Sequence, residues 1–285
     1  MAEMNAPLIW VDGQRAEGVS PLDRGFAYGD GLFETIGLRG GVMPLLDWHV
    51  SRLRRSARAL SIPLAQSHLQ QSLEPLYDAL TPESQGVIKI MLTRGLGGRG
   101  YSPVGAEQSR VIVIYFADAS LPAASPCVVR LCEATLGRNK LLAGHKHMSR
   151  LEQVLARSEW TDPAIAEGLM CDDTGAVIEA TAHNVFVWHD NQWLTPDLTE
   201  AGVNGVMREL LLNRVIPANL SRVGRVTLET LRDAREAFIC NSLKGVQPIA
   251  RICDAEGGLF WESESTERGL ALQKAVRDYL SKAIR

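Results

Sequence analysis

Residues 23–39 read DRGFAYGDGLFETIGLR, and the second half of this stretch predicts the first long strand of a mixed domain. Gly31–Arg39 is strand-like, and Gly40-Gly41 can turn the chain back into residues 42–46. Apolar residues then recur at helical spacing from Leu46 to Leu60, ahead of Pro63. A second helix is predicted over residues 66–80, and buried strands over 87–93 and 111–116. Residues 1–117 are therefore predicted to form a small α/β domain.

The second half of the chain predicts a larger domain. Residues 118–126 form a short stretch rich in Pro, Ser and Ala, which indicates an interdomain linker. Residues 127–285 are therefore predicted to form the second domain. Short strands are predicted at 168–172, 176–181, 185–188 and 193–195. The turn residues between them favour an antiparallel meander. Further strands are predicted at 237–240 and 246–252, and a last helix from about Thr266. The fold class is a two-domain α+β or α/β protein.

The bulk properties exclude several classes of function. A net charge of −3 over 285 residues gives no electrostatic reason to expect nucleic acid. No apolar run is long enough to span a bilayer, and no signal peptide is recognised, so we expect no membrane association. The five cysteines form no C-x-x-C pair, which favours reduced thiols in a cytoplasmic protein. The histidines have no metal-ligand spacing, and there is no Gly-x-Ser-x-Gly nucleophile motif.

Lys146 lies in an unusual stretch, because residues 137–153 read GRNKLLAGHKHMSRLEQ. Ser149 and Glu152 have the spacing of a capping box, which predicts that a helix begins just after Lys146. The predicted apolar face of that helix consists of Met148, Leu151, Val154 and Leu155. A lysine beside two histidines and an arginine could have its ammonium form disfavoured and act as an amine nucleophile. The alternative is an ordinary surface lysine.

Glu179 interrupts the apolar strand 176–181. If its face of the strand points into a cleft, an ionised glutamate could hold a proton on a ring nitrogen. A solvent-facing carboxylate on a half-exposed strand is the alternative. Strand alternation places Glu179 on the same face as Val177 and Thr181, and this does not decide between the two interpretations.

Four other segments could bind anions. Gly95–Gly100 matches the G-x-G-x-x-G dinucleotide pattern, but a loop follows it rather than a helix, so Arg94 and Arg99 belong either to a surface loop or to a clamp for carboxylates. Residues 201–208 lead through glycines into a helix, whose first N–H groups can hold an anion or merely form a turn. Ser242 could donate to a phosphate or satisfy its turn, and Arg52 belongs either to a solvated helix face or to a phosphate site.

Together these motifs resemble the fold-type IV pyridoxal-phosphate enzymes, a group that contains branched-chain and D-amino-acid aminotransferases and aminodeoxychorismate lyases. The resemblance is strongest to the lyase branch. The stretches that carry it are residues 23–35, 97–102, 136–139, 142–147, 150–155 and 201–205. The matches extend from about residue 8 to residue 250.

The resemblance implies a small N-terminal α/β domain, a larger C-terminal domain with a β-barrel-like sheet, and a homodimer with pyridoxal 5'-phosphate between the domains. It implies that Lys146 binds the cofactor covalently, that Glu179 faces the pyridine nitrogen, and that Thr35 lies next to the reacting carbon. The implied phosphate ligands are Arg52, the backbone amides of Val206 and Met207, and the loop of Asn241 and Ser242. We predict Arg94, Arg99 and Tyr101 as substrate-binding residues. Arg99 is favoured as the carboxylate ligand, because its Gly-Arg-Gly-Tyr setting resembles the lyase branch.

The implied reaction converts 4-amino-4-deoxychorismate to 4-aminobenzoate and pyruvate, a step of folate synthesis. Aminotransferases of the group often have tyrosine five residues after the lysine, whereas this chain has Leu151, as in the lyase branch. A branched-chain or D-amino-acid aminotransferase is the nearest alternative. A dinucleotide-binding module built on Gly95–Gly100 and an inactive structural relative are the others.

Overall fold

The computed structural model describes residues 6–117 and 125–283. The α-helices are α1 (Arg24–Tyr28), α2 (Leu46–Ala59), α3 (Gln66–Ala79), α4 (Leu151–Arg157), α5 (Val206–Leu210), α6 (Leu228–Arg232) and α7 (Glu267–Lys282). The strands are β1 (Leu8–Val11), β2 (Gln14–Arg15), β3 (Gly31–Leu38), β4 (Gly86–Thr93), β5 (Arg110–Ala117), β6 (Cys127–Leu131), β7 (Ile165–Cys171), β8 (Ala176–Ala180), β9 (Asn184–His189), β10 (Gln192–Pro196), β11 (Ser221–Gly224), β12 (Val226–Thr227), β13 (Glu236–Asn241), β14 (Gly245–Cys253) and β15 (Leu259–Glu262). A π-helical turn, Leu211–Val215, follows α5.

The chain divides into two compact units. Unit 1 comprises Met1–Leu121, Lys146–Ser149 and Ser281–Arg285, and unit 2 comprises Pro122–His145 and Arg150–Leu280. Residues 118–124 of the predicted linker lie outside the described residues. The short segment around Lys146 thus belongs with unit 1, although the sequence on both sides of it belongs to unit 2.

Unit 1 contains a sheet in the order β2-β1-β5-β4-β3, with the described pairs antiparallel. Alternation along β3 buries Leu32, Glu34 and Ile36 on one face, where α2 packs, and leaves Phe33 and Thr35 half-buried on the other. Because β3 is the last strand of this sheet, its outer edge has unpaired backbone groups. The Lys146–Met148 segment pairs with that edge: Phe33 N–H donates to the Lys146 carbonyl at 3.0 Å, and Met148 N–H to the Gly31 carbonyl at 2.9 Å.

Unit 2 contains a mixed sheet in the order β11-β10-β9-β13-β14-β6-β7-β8-β12, with β15 on β14. The predicted strands are present, but the predicted meander is wrong. β7 pairs with β8 and β9 with β10, whereas β9 pairs on its other side with β13 rather than with β8. Turn residues indicate only hairpins between strands that are adjacent in sequence. They could not predict the pairing of β9 with β13, because these strands are distant in sequence.

Helix α4 corrects the expectation built on Ser149 and Glu152. The helix begins at Leu151 with Arg150 as its N-cap and no side-chain capping bond, and Glu152 Oε1 instead accepts from the Gly137 N–H at 2.9 Å. Its expected apolar face is exposed rather than buried: Leu151 is 69%, Val154 57% and Leu155 58% exposed. Helical spacing therefore identified the apolar face of the helix correctly but did not show whether that face is buried or exposed.

Across the described residues, none of the helices has both the length and the apolar character needed to cross a membrane.

Candidate active site

Lys146 sits at the edge of the unit 1 sheet with its ammonium group over an aromatic ring. Lys146 Nζ lies 4.3 Å from the centroid of the Phe33 ring, and Lys89 Nζ lies 5.3 Å from the same centroid. A cation over a ring face is attracted by the ring quadrupole. Two ammonium groups near one ring make this face of the sheet electropositive, which favours anionic ligands.

Thr35 shares this face with Phe33, since strand alternation separates them by two residues. It is directly opposite Lys89 in the β3–β4 pairing. The sheet register therefore brings Lys146, Thr35 and Lys89 to one face of unit 1.

The other face of β3 carries a buried charged cluster. Arg52 Nε donates to Glu34 Oε1 at 2.9 Å and Arg52 Nη2 donates to Glu34 Oε2. His49 Nδ1 lies 2.6 Å from the same Glu34 Oε2. All three side chains are buried, so Arg52 does not belong to the solvated helix face that was one of the two interpretations of its sequence position.

The cluster has a defined protonation state. Burial raises the pKa of the Glu34 carboxyl, but the Arg52 charge and the hydrogen bonds from His49 and Arg52 together outweigh burial and lower that pKa to about 2. Burial lowers the pKa of His49, and the bond to Glu34 offsets this only in part. At neutral pH, His49 is therefore neutral with its proton on Nδ1, and its buried Nε2 has no hydrogen-bond partner among the described residues.

Glu179 is buried in unit 2 rather than solvated. Its Oε2 accepts from the Val203 N–H at 2.7 Å, and its Oε1 accepts from Gln153 Nε2 at 3.3 Å. Gly202 fits closely beside the carboxylate: a Cβ there would lie 3.2 Å from Glu179 Oε2, and its φ is +81°. The structure thus decides against the solvent-facing alternative for Glu179.

The segment before α5 is held by Asn184. Asn184 Nδ2 donates to the Val203 carbonyl at 2.8 Å, and Asn184 Oδ1 accepts from the Gly205 N–H at 3.0 Å. Gly205 is the N-cap of α5 and makes no side-chain capping bond, so Val206 and Met207 lie in a first turn whose N–H groups lack intrahelical acceptors. This is the geometry expected of an anion site.

Asn241 ends β13 and organises the turn into β14. Its Oδ1 accepts from the N–H groups of Leu243, at 3.0 Å, and Lys244, at 2.8 Å. Ser242 lies within this turn and is half-buried. The Asn241 side chain therefore stabilises the turn by accepting hydrogen bonds from two of its backbone N–H groups.

The glycine loop is a loop and opens no helix, which confirms that the dinucleotide pattern is coincidental. Its conformation is set by Arg24, which is buried. Arg24 Nη1 donates to the carbonyls of Gly100 and Ser102, both at 3.1 Å, and Nη2 to the carbonyl of Tyr101 at 3.0 Å. Gly97 allows the Arg24 side chain to pass, because a Cβ there would lie 2.7 Å from Arg24 Cδ.

The predicted substrate-binding residues of this loop differ in their surroundings. Arg94 Nε donates to Asp30 Oδ2 at 2.8 Å, and its terminal nitrogens donate to the carbonyls of Ser61 at 2.6 Å and Leu60 at 2.9 Å. Arg94 thus ties the loop to the end of α2, and these contacts indicate a structural role instead of the predicted carboxylate clamp. Arg99 is exposed, and Tyr101 is 85% exposed.

Sequence reasoning missed Lys89, Glu34 and His49. Lys89 had a recognisable signal, because it interrupts the apolar strand 87–93 just as Glu179 interrupts 176–181. Glu34 lies inside the quoted signature, but nothing in its spacing indicates Arg52 as its partner. His49 gave no signal beyond its place one turn before Arg52.

Comparisons with known proteins identify the family of this chain. The family model described as Amino-transferase class IV matches residues 31–252. The chain is 38% identical to the aminodeoxychorismate lyase of Vibrio harveyi over 253 residues, which cover 87% of this chain and 93% of that protein. The crystal structure of 4-amino-4-deoxychorismate lyase from Pseudomonas aeruginosa superposes with a TM-score of 0.84 at 39% identity, covering 95% of this chain and 98% of that one.

The branched-chain amino acid aminotransferase of Escherichia coli gives a TM-score of 0.80 at 20% identity, with 96% of this chain and 94% of that chain covered, and so shares the fold. The fold and the site therefore define a fold-type IV pyridoxal-phosphate enzyme. The chain belongs to the class IV amino-transferase family.

Proposed function

We infer that this protein is a pyridoxal-phosphate-dependent lyase that converts 4-amino-4-deoxychorismate to 4-aminobenzoate and pyruvate. The observation that carries the inference is the identity of 38–39% with two lyases over nearly their whole lengths, against 20% with the aminotransferase of the same fold. Leu151 at the position where aminotransferases of the group often have tyrosine supports the same choice.

The residues present fit this cofactor. Unit 1 offers an amine at Lys146 Nζ, a buried Arg52 and the unpartnered Nε2 atom of His49. Unit 2 offers a buried carboxylate at Glu179, beside a Gln153 Oε1 that has no partner in the described chain. A buried polar atom without a partner costs free energy unless a ligand satisfies it. When bound, pyridoxal phosphate supplies a group that accepts the electron pair of a broken C–H bond.

The proposed roles follow from these groups. Lys146 would hold the cofactor through its amine, and the same amine would accept the proton from C4 of the substrate. Glu179 holds a proton on the ring nitrogen, since an ionised carboxylate there stabilises a cation. Arg52, the amides of Val206 and Met207, and the turn of Asn241 and Ser242 hold the phosphate. Thr35 orients the reacting carbon from the same sheet face as Lys146.

The substrate has two carboxylates, which require cations or N–H donors. We propose that Arg99 and Tyr101 contact them, with the Arg24 contacts presenting their loop. Lys89 adds a positive charge on the Lys146 face of the sheet and has no ion-pair partner among the described residues, so it is a further ligand for a substrate anion. Loss of the enolpyruvyl group as pyruvate then leaves an aromatic ring, which makes the elimination strongly favourable.

We further propose that the protein is a cytoplasmic homodimer. Leu151, Val154 and Leu155 share one face of α4 and are 57–69% exposed, and apolar side chains grouped on a surface are typical of protein interfaces. All five cysteines lie in the described part of the chain as free thiols, which suits a reducing compartment.

The test is to incubate the purified protein with 4-amino-4-deoxychorismate and measure 4-aminobenzoate and pyruvate together, with no keto acid added. Equal amounts of both products are expected. An aminotransferase would instead need a keto acid acceptor and would release no pyruvate from this substrate, so activity only on amino acids with added keto acid would overturn the proposal.

A further inference from the structure

A buried chain of side chains ends at the Asn241 turn in unit 2. It begins at Glu167 on β7, whose Oε1 accepts from the Gly168 N–H at 3.0 Å and from Thr181 Oγ1. Glu167 Oε2 lies 2.5 Å from His183 Nδ1, and both side chains are no more than 5% exposed. On the other side of the ring, His183 Nε2 lies 2.8 Å from Asn241 Nδ2.

The direction of each hydrogen bond can be worked out from the backbone. The N–H groups of Leu243 and Lys244 can only donate, so the Asn241 atom they contact must be the amide oxygen. The other amide atom is then the NH₂ group, which donates. His183 Nε2 must therefore be an acceptor without a proton, and the ring proton lies on Nδ1, where it is donated to Glu167.

Glu167 is ionised, which makes it a suitable acceptor. Burial raises its pKa, but the hydrogen bonds from His183, Thr181 and Gly168 together outweigh burial and lower the pKa. Because the ionised Glu167 carboxylate can only accept, it selects the His183 tautomer with the proton on Nδ1. The unprotonated Nε2 of that tautomer then selects the orientation in which the Asn241 NH₂ group faces the ring. With the amide reversed, two N–H groups would face the Asn241 NH₂ and the turn would lose both bonds.

We propose that His183, held by Glu167, is a positioning residue that sets the conformation of the Asn241–Lys244 turn for binding the phosphate group of the cofactor. This rests on the proposed function, in which Asn241 and Ser242 contact that phosphate. The turn lies between paired strands, with Asn241 opposite Gly245, so its ends are fixed by the sheet and its middle by the Asn241 side chain.

The first test compares two ligands that differ only in the phosphate. Cofactor-free full-length protein is titrated with pyridoxal phosphate and with pyridoxal. His183→Leu should weaken pyridoxal phosphate binding about 10-fold, the effect of losing an oriented hydrogen bond, and pyridoxal binding less than about twofold. His183→Gln retains one donor and one acceptor and should restore most of the phosphate-specific affinity. His189→Leu, which removes a histidine from the end of β9, is the matched control and should change neither affinity.

The second test needs no variant and so does not depend on variant folding. Nitrogen-15 NMR of the unsubstituted protein should show His183 as the neutral tautomer with its proton on Nδ1. A proton on Nε2, or equal weakening of both ligands by His183→Leu, would overturn the positioning role while leaving the proposed function intact. Absence of saturable pyridoxal phosphate binding by the wild-type protein would overturn the proposed function, and this inference with it.

Discussion

Arg52 and Glu34 form a buried two-point ion pair in unit 1, with Arg52 Nε 2.9 Å from Glu34 Oε1 and Arg52 Nη2 in contact with Glu34 Oε2. Removing one partner of a buried ion pair strongly destabilises the folded protein, because the other charge is left buried and uncompensated. The pair therefore links the stability of unit 1 to the orientation of a guanidinium proposed to hold the cofactor phosphate.

The Glu34 carboxyl should make the protein acid-sensitive. Its pKa falls from 4.5 when unfolded to about 2 when folded, so its stabilisation is complete above pH 4.5 and is lost as the pH falls toward 2. The shift corresponds to about 3 kcal/mol in the free energy of unfolding. Glu34→Gln should be less stable at pH 7 and should lose less of its remaining stability between pH 5 and 3. Parallel slopes for both proteins in urea unfolding at these pH values would contradict this.

Arg52→Ala should weaken binding of pyridoxal phosphate, because it removes a guanidinium proposed to contact the phosphate and leaves Glu34 unpaired. Loss of a charge-assisted hydrogen bond of about 1.5–3 kcal/mol predicts about 10- to 150-fold weaker binding. Excess cofactor should restore part of the activity. Arg55→Ala on the same helix is the control, because Arg55 is exposed. Equal cofactor affinity in the two variants would show that Arg52 is purely structural.

Lys146 should be the residue that carries the cofactor. Borohydride reduction followed by peptide mapping is expected to place the phosphopyridoxyl mass on the peptide containing Lys146. Lys89 is the informative competitor, since its ammonium lies near the same Phe33 ring. Label on Lys89, Lys140 or Lys244 would refute the assignment.

Glu179→Ala should retain the fold and lower kcat by about 10- to 150-fold. Without the carboxylate, the pyridine nitrogen of the cofactor would lose its proton, and an unprotonated pyridine accepts electrons poorly. The measurement is kcat at saturating cofactor, with the melting temperature as the control for folding. Near-wild-type turnover in a variant that still binds the cofactor would show that Glu179 has only a structural role, as the acceptor of the Val203 N–H.

Arg99→Ala and Arg94→Ala should separate binding from stability. Arg99 is proposed to contact a substrate carboxylate, so its removal should lower kcat/KM for 4-aminobenzoate formation by about 10- to 150-fold. Because Arg99 is exposed, the melting temperature and the visible spectrum should not change. Arg94→Ala should lower the melting temperature, because Arg94 joins Asp30 to the carbonyls of Leu60 and Ser61. A change in kcat/KM below about twofold for Arg99→Ala would show that the loop does not bind the carboxylates.

The sequence by itself determined the family and the limits of most helices and strands, and it singled out Lys146 and Glu179 for the roles proposed above. These features are local: a motif needs particular residues at short fixed spacings, and periodicity reports which side of an element is apolar. The interrupted strand at Glu179 was informative for that reason, and Lys89 would have been informative in the same way.

Only the tertiary structure decided which distant residues meet. The β3–β4 register places Lys89 opposite Thr35, the edge of β3 receives the Lys146 segment, and Arg24 reaches the carbonyls of Gly100, Tyr101 and Ser102. Spacing could not anticipate that the stripe at Leu151 is exposed or that Arg52 pairs with Glu34. Such contacts depend on strand order and on close packing between elements far apart in the chain, and neither is encoded in the spacing of neighbouring residues.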